Sequence, residues 1–256
     1  MEGFALHASC WGRVVRFPYA CEVHERSMQL LILWDLDGTL LTTDGIAAEA
    51  MRAAMREVVG PSAPMARTAY AGKTDWQIIR ESLPTLAPEL ISARLHEFTA
   101  AYLGRLEQQR ADLVARSRLF PGVVAALQEL RGRARQAPLT GNIAAVARIK
   151  LESVGLLPLL DLEAGAYGDD HHHRPELVPI AAARAAAYYG QHFAGRQIVI
   201  VGDTPNDITC GRLNGTRTVA VATGPYSEAE LQEHGPDATL PDLSDTAAVV
   251  AAILGS

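Results

Sequence analysis

The chain has 256 residues, 48% of them hydrophobic and 20% charged, with a formal net charge of -6. That length suits one large α/β domain or a core with a smaller insert, and the acidic balance with scattered arginines excludes the basic footprint of a nucleic-acid binder. Cys10, Cys21 and Cys210 form no CxxC pair or metal spacing, and no apolar run approaches the roughly 20 residues that span a bilayer, so the composition reads as a reduced, cytoplasmic protein with no membrane segment.

Residues 1–27 have neither a clean apolar core before a small-residue cleavage site nor a steady period of 2 or 3.6. The expectation is that Met28 is the true start and that 1–27 are a non-native or disordered extension. Leu30 to Trp34 is a continuous apolar run ending at Asp35, the pattern of a strand buried on both faces of a parallel sheet. From 46 to 116 the sequence predicts helices at 46–59, 75–82 and 88–109 with no strong strand between them. A helix follows Pro121 over 122–130, and another covers 142–154 with Gly155 as its stop. Further helices are predicted at 175–189, 205–214 and 244–254. Two more apolar runs, Gln197 to Val201 and Arg217 to Ala222, complete an alternation of strands and helices. The fold class is therefore α/β: a Rossmann-like doubly wound parallel sheet over 28–45 and 117–256, with a helical cap over 46–116 inserted after the first strand.

One stretch strains the pattern. Arg133 to Leu139 holds two arginines, a glutamine and Pro138 where an apolar strand is expected, which suits an edge-like segment or a degraded copy better than a central strand.

Two acidic clusters emerge where buried strands end, the side of an open α/β sheet that binds ligands. In Asp35-Leu36-Asp37-Gly38-Thr39-Leu40, Asp35 is placed to attack phosphorus, and Asp37 to protonate the leaving alcohol and then activate water. A bare DxD is more often a solvated turn; the full string after a buried strand is more specific. In Gly202-Asp203-Thr204-Pro205-Asn206-Asp207, carboxylate oxygens suit a hard cation such as Mg²⁺. Asp203 is the expected ligand, with Asp207 binding directly or through water. The competing reading is a helix N-cap made by Asp203 or Thr204 before Pro205. Asp35, Asp37, Asp203 and Asp207 together form the expected magnesium set.

These motifs resemble the haloacid dehalogenase superfamily, in its phosphatase branch with a helical cap, similar to phosphoglycolate phosphatases. The resemblance runs from about Met28 to the C-terminus. It implies that Thr140 of Leu139-Thr140-Gly141-Asn142 hydrogen-bonds phosphate, with Gly141 and Asn142 beside the substrate. It also implies a cation that holds nucleophile and phosphate. The family often has Lys before Pro; here Arg174 precedes Pro175, and a guanidinium binds phosphate with a planar fork. Lys150 is the rival, set aside as a surface lysine at a helix C-terminus because a helical path carries it roughly 12–15 Å from the phosphate end. In the cap, Gly72, Lys73 and Thr74 resemble a loop that closes over substrate, the competing reading being a helix start capped by Thr74 or Asp75. His171 to His173 read as a polar loop rather than a transition-metal site.

The implied activity is Mg²⁺-dependent hydrolysis of a small organic phosphate monoester through an aspartyl-phosphate. The alternatives are a sugar-phosphate mutase of the same fold, or a catalytically impaired phosphate binder. A phosphonate hydrolase would need Lys73 as a Schiff-base lysine. The expected partner is a small phosphate ester, with neither nucleic acid nor membrane.

Overall fold

A computed structural model describes residues 30–255; the expectations about residues 1–27 and Met28 fall outside them. Five strands form one parallel sheet: β1 (Leu31–Trp34), β4 (Arg135–Pro138), β5 (Ile198–Gly202), β6 (Arg217–Val221) and β7 (Ala238–Leu240), in the order β4-β1-β5-β6-β7. Side chains alternate across it, as a pleated strand requires. Ile32, Trp34, Val199, Val201, Val219 and Val221 face one core, closed by helices α6 (Val123–Leu130), α7 (Ala144–Ser153) and α11 (Thr246–Leu254). Leu31, Leu33, Ile198 and Ile200 face the other, beneath α8 (Leu177–Tyr189) and Cys210 of α9 (Pro205–Asn214). Helices on both faces make the sheet doubly wound.

The segment at 133–139 is resolved as an edge strand. Arg135 and Leu139 donate their amides to Leu30 and Trp34, so the intervening Gln136 and Pro138 turn their nitrogens outward, where Pro138 forfeits no ladder bond to β1. The polar residues are also accounted for. Gln136 accepts from Trp34 Nε1 at 3.1 Å and donates to the Leu127 carbonyl at 2.9 Å, while Arg135 stacks over the Tyr189 ring at 4.6 Å. The Asp161 amide reaches the Gln136 carbonyl and the Ala166 amide the Pro138 carbonyl, so the outer edge is covered.

A two-stranded antiparallel ribbon, β2 (Leu41–Thr42) with β3 (Arg118–Leu119), carries the chain out of the core and back. Between them lie α1 (Ile46–Val59), α2 (Asp75–Ser82), α3 (Pro88–Ala93), α4 (Leu95–Gln108) and α5 (Arg110–Arg116). They bury their own core, including Met51, Met55, Phe98, Tyr102 and Leu106, and seat it on Ile143 and Val146 at α7. β2, β3, α5, β7 and α10 (Glu228–Gln232) had no counterpart in the sequence reading.

Candidate active site

The strand register delivers the chemistry to one end of the sheet. Trp34 pairs with Val201 on one side and Pro138 on the other, so Asp35, Asp203 and Thr140 all emerge one or two residues past the same rung. Gly38 then turns with φ of 90°, and a Cβ there would lie 2.4 Å from Asp203 Oδ2; only glycine lets the first loop pass so close to the second acidic cluster. Thr39 donates to Asp203 Oδ1 at 3.1 Å, and Thr223 donates to the Gly38 carbonyl at 2.5 Å.

Asp35, Asp203 and Asp207 are all buried, and one oxygen of each lies within 4.8 Å of the others. Burial pushes the Asp35 carboxyl up to about 7; Arg174 pulls it down and Asp207 raises it further. Asp203 lies well above the ordinary carboxylate range for the same first reason, burial, followed by repulsion from Asp35 and Asp207. Arg174 donates to Asp35 Oδ1 and to Asp207 Oδ1, each at 2.6 Å. Burial opposes its charge, but the two carboxylates outweigh burial and hold the guanidinium firmly protonated. Beneath it Cys210 is no rival nucleophile, because burial pushes its thiol up to about 12.

One guanidinium does not neutralise three buried carboxylates, and that deficit fits a hard divalent cation. Asp35 and Asp203 have an oxygen to offer. Asp207 is already committed: Oδ1 to Arg174, and Oδ2 to the Thr204 amide and hydroxyl at 3.1 and 2.6 Å. Thr204 and Asp207 thus form the capping box that starts α9, so the cap reading and the acidic cluster coexist.

Asp37 departs from the expected ligand set. Its Oδ2 accepts from Lys150 Nζ at 2.6 Å and Asn142 Nδ2 at 2.7 Å, and its carboxylate is not among the three clustered ones. Lys150 is a correction too. Its side chain is 5% exposed rather than on the surface. α7 begins at Ala144, so Lys150 sits only about 9 Å along the axis, and helical side chains lean toward the N-terminus. Nζ also reaches Asn142 Oδ1 at 2.5 Å. Asn142 Nδ2 in turn lies 2.9 Å from Thr140 Oγ1, so the Asn142 amide is engaged by protein on both sides, where a substrate contact was expected.

Three tight contacts with backbone join the strand-end loops to the insert. The Asp75 amide donates to the Gly141 carbonyl at 2.7 Å, and a Cβ on Gly141 would come within 2.0 Å of the Lys73 carbonyl. Asn206 donates to the Gly72 carbonyl at 2.9 Å. Thr74 is not available to a substrate: its hydroxyl accepts from the Gln77 amide as the N-cap of α2 and donates to the His172 carbonyl at 2.8 Å. Lys73 lines the cavity, but its ammonium is paired with Glu81. His171 and His172 stack at 4.6 Å outside it, and no histidine joins a metal-like cluster among the described residues. A cavity of about 280 Å³ lies between insert and sheet, lined on the core side by Asp35, Asp37, Thr140 and Arg174. On the insert side stand Asp75 and Tyr102, which the sequence reading did not single out as site residues.

A family model for haloacid dehalogenase-like hydrolases matches residues 30–215. The chain belongs to that family. Among curated haloacid dehalogenase relatives, it is 28% identical over 234 residues to a probable phosphatase IndB of Dickeya dadantii (strain 3937), covering 89% of this chain and 96% of that one. A phosphoglycolate phosphatase of Photorhabdus laumondii subsp. laumondii is 27% identical over 216 residues, 84% and 89% of the two chains. Among solved structures, a predicted phosphoglycolate phosphatase from Haemophilus somnus 129pt superposes with a TM-score of 0.61 at 20% identity, over 87% of this chain and 98% of that one. At that identity the likeness shows the haloacid dehalogenase fold alone. No helix among the described residues is long and apolar enough to cross a membrane.

Proposed function

We propose that this haloacid dehalogenase-like hydrolase is a phosphatase of small phosphate monoesters that uses Asp35 as nucleophile and Mg²⁺ as cofactor. The observation that carries the reading is the placement of Asp35. It is buried at the carboxyl end of β1, with Oδ1 held by Arg174 and Oδ2 free of hydrogen-bond partners among the described residues. Relatives named as phosphatases support the same chemistry.

Asp35 attacks phosphorus as the bond from phosphorus to the ester oxygen breaks, leaving an aspartyl-phosphate. Asp37 gives a proton to the departing alcohol from Oδ1, since Oδ2 is taken by Lys150 and Asn142. A water then attacks phosphorus, Asp37 takes its proton, and the bond to Asp35 breaks to release inorganic phosphate. Arg174 fixes the nucleophile and faces the phosphate with Thr140. Asp35 and Asp203 would hold Mg²⁺, with Asp207 behind them through Arg174 and Thr204, and the cation would supply charge stabilisation for the phosphoryl group. The helices of 46–116 serve as the cap that excludes bulk water.

The test is phosphate release from a panel of small esters with and without Mg²⁺, for the native protein and Asp35→Asn. Metal-dependent release that vanishes in the variant supports the proposal. Release that survives Asp35→Asn rejects the nucleophile assignment. Phosphate carried to a second sugar hydroxyl rather than to water identifies a mutase.

A further inference from the structure

The groups on the insert side of the cavity bear on what leaves with the ester oxygen, an inference that rests on the phosphatase reading. Four carboxyl groups (Asp35, Asp37, Asp75 and Asp203) and three cations (Lys73, Lys150 and Arg174) line the cavity, and every one of those cations is already paired with a carboxylate. Lys73 is bound to Glu81, which Gln77 holds from its other oxygen at 2.8 Å. Among the described residues that line the cavity, no unpaired cation is therefore left on the insert side to receive a second anionic group on a substrate.

What stands there instead suits hydroxyls. Asp75, at the first turn of α2, has Oδ2 fixed by the Ile143 amide at 2.9 Å, while Oδ1 has no hydrogen-bond partner among the described residues. Tyr102 is 2% exposed, lines the same cavity, and its hydroxyl has no hydrogen-bond partner among the described residues. Tyr102 belongs to the helical core of the insert and also lines the cavity that Asp75 and Asp37 line. Met51 and Ile78 supply apolar wall between the polar points. Neither the Tyr102 hydroxyl nor Asp75 Oδ1 is an enclosed orphan; both residues line the cavity, where a ligand group can complete them. A hydroxyl can accept from Tyr102 and donate to Asp75. A carboxylate can only accept, and it would meet Asp75 and Asp37, whose nearest cation, Lys150, is already paired with Asp37.

We infer that the substrate is the phosphate monoester of a small, neutral, hydroxyl-bearing alcohol, selected against carboxylate-bearing esters by Asp75 and Tyr102. The cavity size agrees, lying at the small end of ligand sites. The selectivity is opposite to that suggested by the relative named for phosphoglycolate.

Two matched pairs test it, each differing only by a hydroxymethyl group against a carboxylate: hydroxyethyl phosphate against phosphoglycolate, and glycerol phosphate against phosphoglycerate. With Mg²⁺ at mildly alkaline pH, kcat/KM is expected to favour the hydroxyl member of each pair by about tenfold or more. Asp75→Asn, which keeps an acceptor for the Ile143 amide, should narrow the ratio by raising the carboxylate member. Tyr102→Phe should narrow it by lowering the hydroxyl member. Equal or reversed preference, or ratios unmoved by both variants, overturns the inference. Nitrophenyl phosphate serves as a control for the chemistry itself. If it and all four esters are inert, the phosphatase reading fails, and the same pairs are then scored by ligand-induced shifts in melting temperature, where a larger shift with the carboxylate members rejects the selectivity.

Discussion

The ammonium of Lys150 donates to Asp37 Oδ2 across 2.6 Å, joining the middle of α7 to the loop after β1. Asn142 closes the triangle by accepting from Lys150 and donating to Asp37. In the proposed mechanism, the pair fixes which oxygen of Asp37 is left to exchange protons with the leaving group. Lys150→Met should lower kcat by about 10² with a smaller change in KM, since positioned acid–base catalysis contributes on that scale. Steady-state phosphate release checks this, and an unchanged kcat would remove Lys150 from the machinery.

Asp35, Asp203 and Asp207 repel one another behind a single guanidinium. Without metal, neutralising one of them relieves that repulsion. Asp35→Asn should therefore melt higher than the native protein in chelator while losing activity, a trade of stability against function. Added Mg²⁺ should raise the melting temperature of the native protein more than that of the variant. Calorimetric scans in chelator and in Mg²⁺ read both effects; a lower melting temperature for the variant in chelator would contradict the first.

The sign of the metal's pH dependence follows from the same cluster. Burial holds Asp35 up to about 7 and Asp203 higher than usual, so protons compete with the cation for those oxygens. Mg²⁺ binding should strengthen as pH rises through about 7 and release protons near neutrality. Titration calorimetry in buffers of different ionisation enthalpy measures the proton release; binding that is independent of pH across neutrality would contradict this.

Asp75 makes a separate pH prediction. Its carboxyl is raised to about 7 by burial, against the pull of Lys150 and the Ile143 amide, whereas the unfolded group titrates near 3.8. Below 3.8 the group is protonated in both states and costs nothing; between there and about 7 only the unfolded chain ionises, so stability falls as pH rises. Asp75→Asn removes that loss. Its melting temperature should gain on the native protein as pH rises from near 4 to near 7, by an increment that vanishes only well below pH 3.8.

Gln136 tests the edge strand. It is buried and satisfies both the Trp34 indole and the Leu127 carbonyl. Gln136→Ala should cost about 1–3 kcal/mol in urea unfolding by orphaning those groups. A neutral result would mean that water replaces the side chain.

The sheet was legible where burial is two-sided: the runs ending at Trp34 and Val201 could only be parallel strands, and both acidic clusters followed from them. β4 was harder to read because its side chains answer local needs, Gln136 serving Trp34 and Arg135 stacking on Tyr189, rather than filling a core. β7 is three half-buried residues and carries almost no hydrophobic pattern. Lys150 was misplaced by measuring from Thr140 instead of from the first helical residue, a four-residue difference that decides whether its side chain reaches Asp37. Asp75 looked like an ordinary helix-start residue, and its second role depends on Gly141 and Ile143, far away in sequence.

The ribbon in which Leu41 opposes Leu119 and Thr42 opposes Arg118 makes the insert leave and re-enter the core at one point. The two crossing points are neighbours, so the intervening helices are topologically a single long loop on a two-stranded stalk. Excising them and joining the stalk with a tight turn would leave the parallel sheet's connectivity untouched. Within such an architecture a lineage can exchange the whole insert while Asp35, Arg174 and the acidic trio stay where the sheet put them.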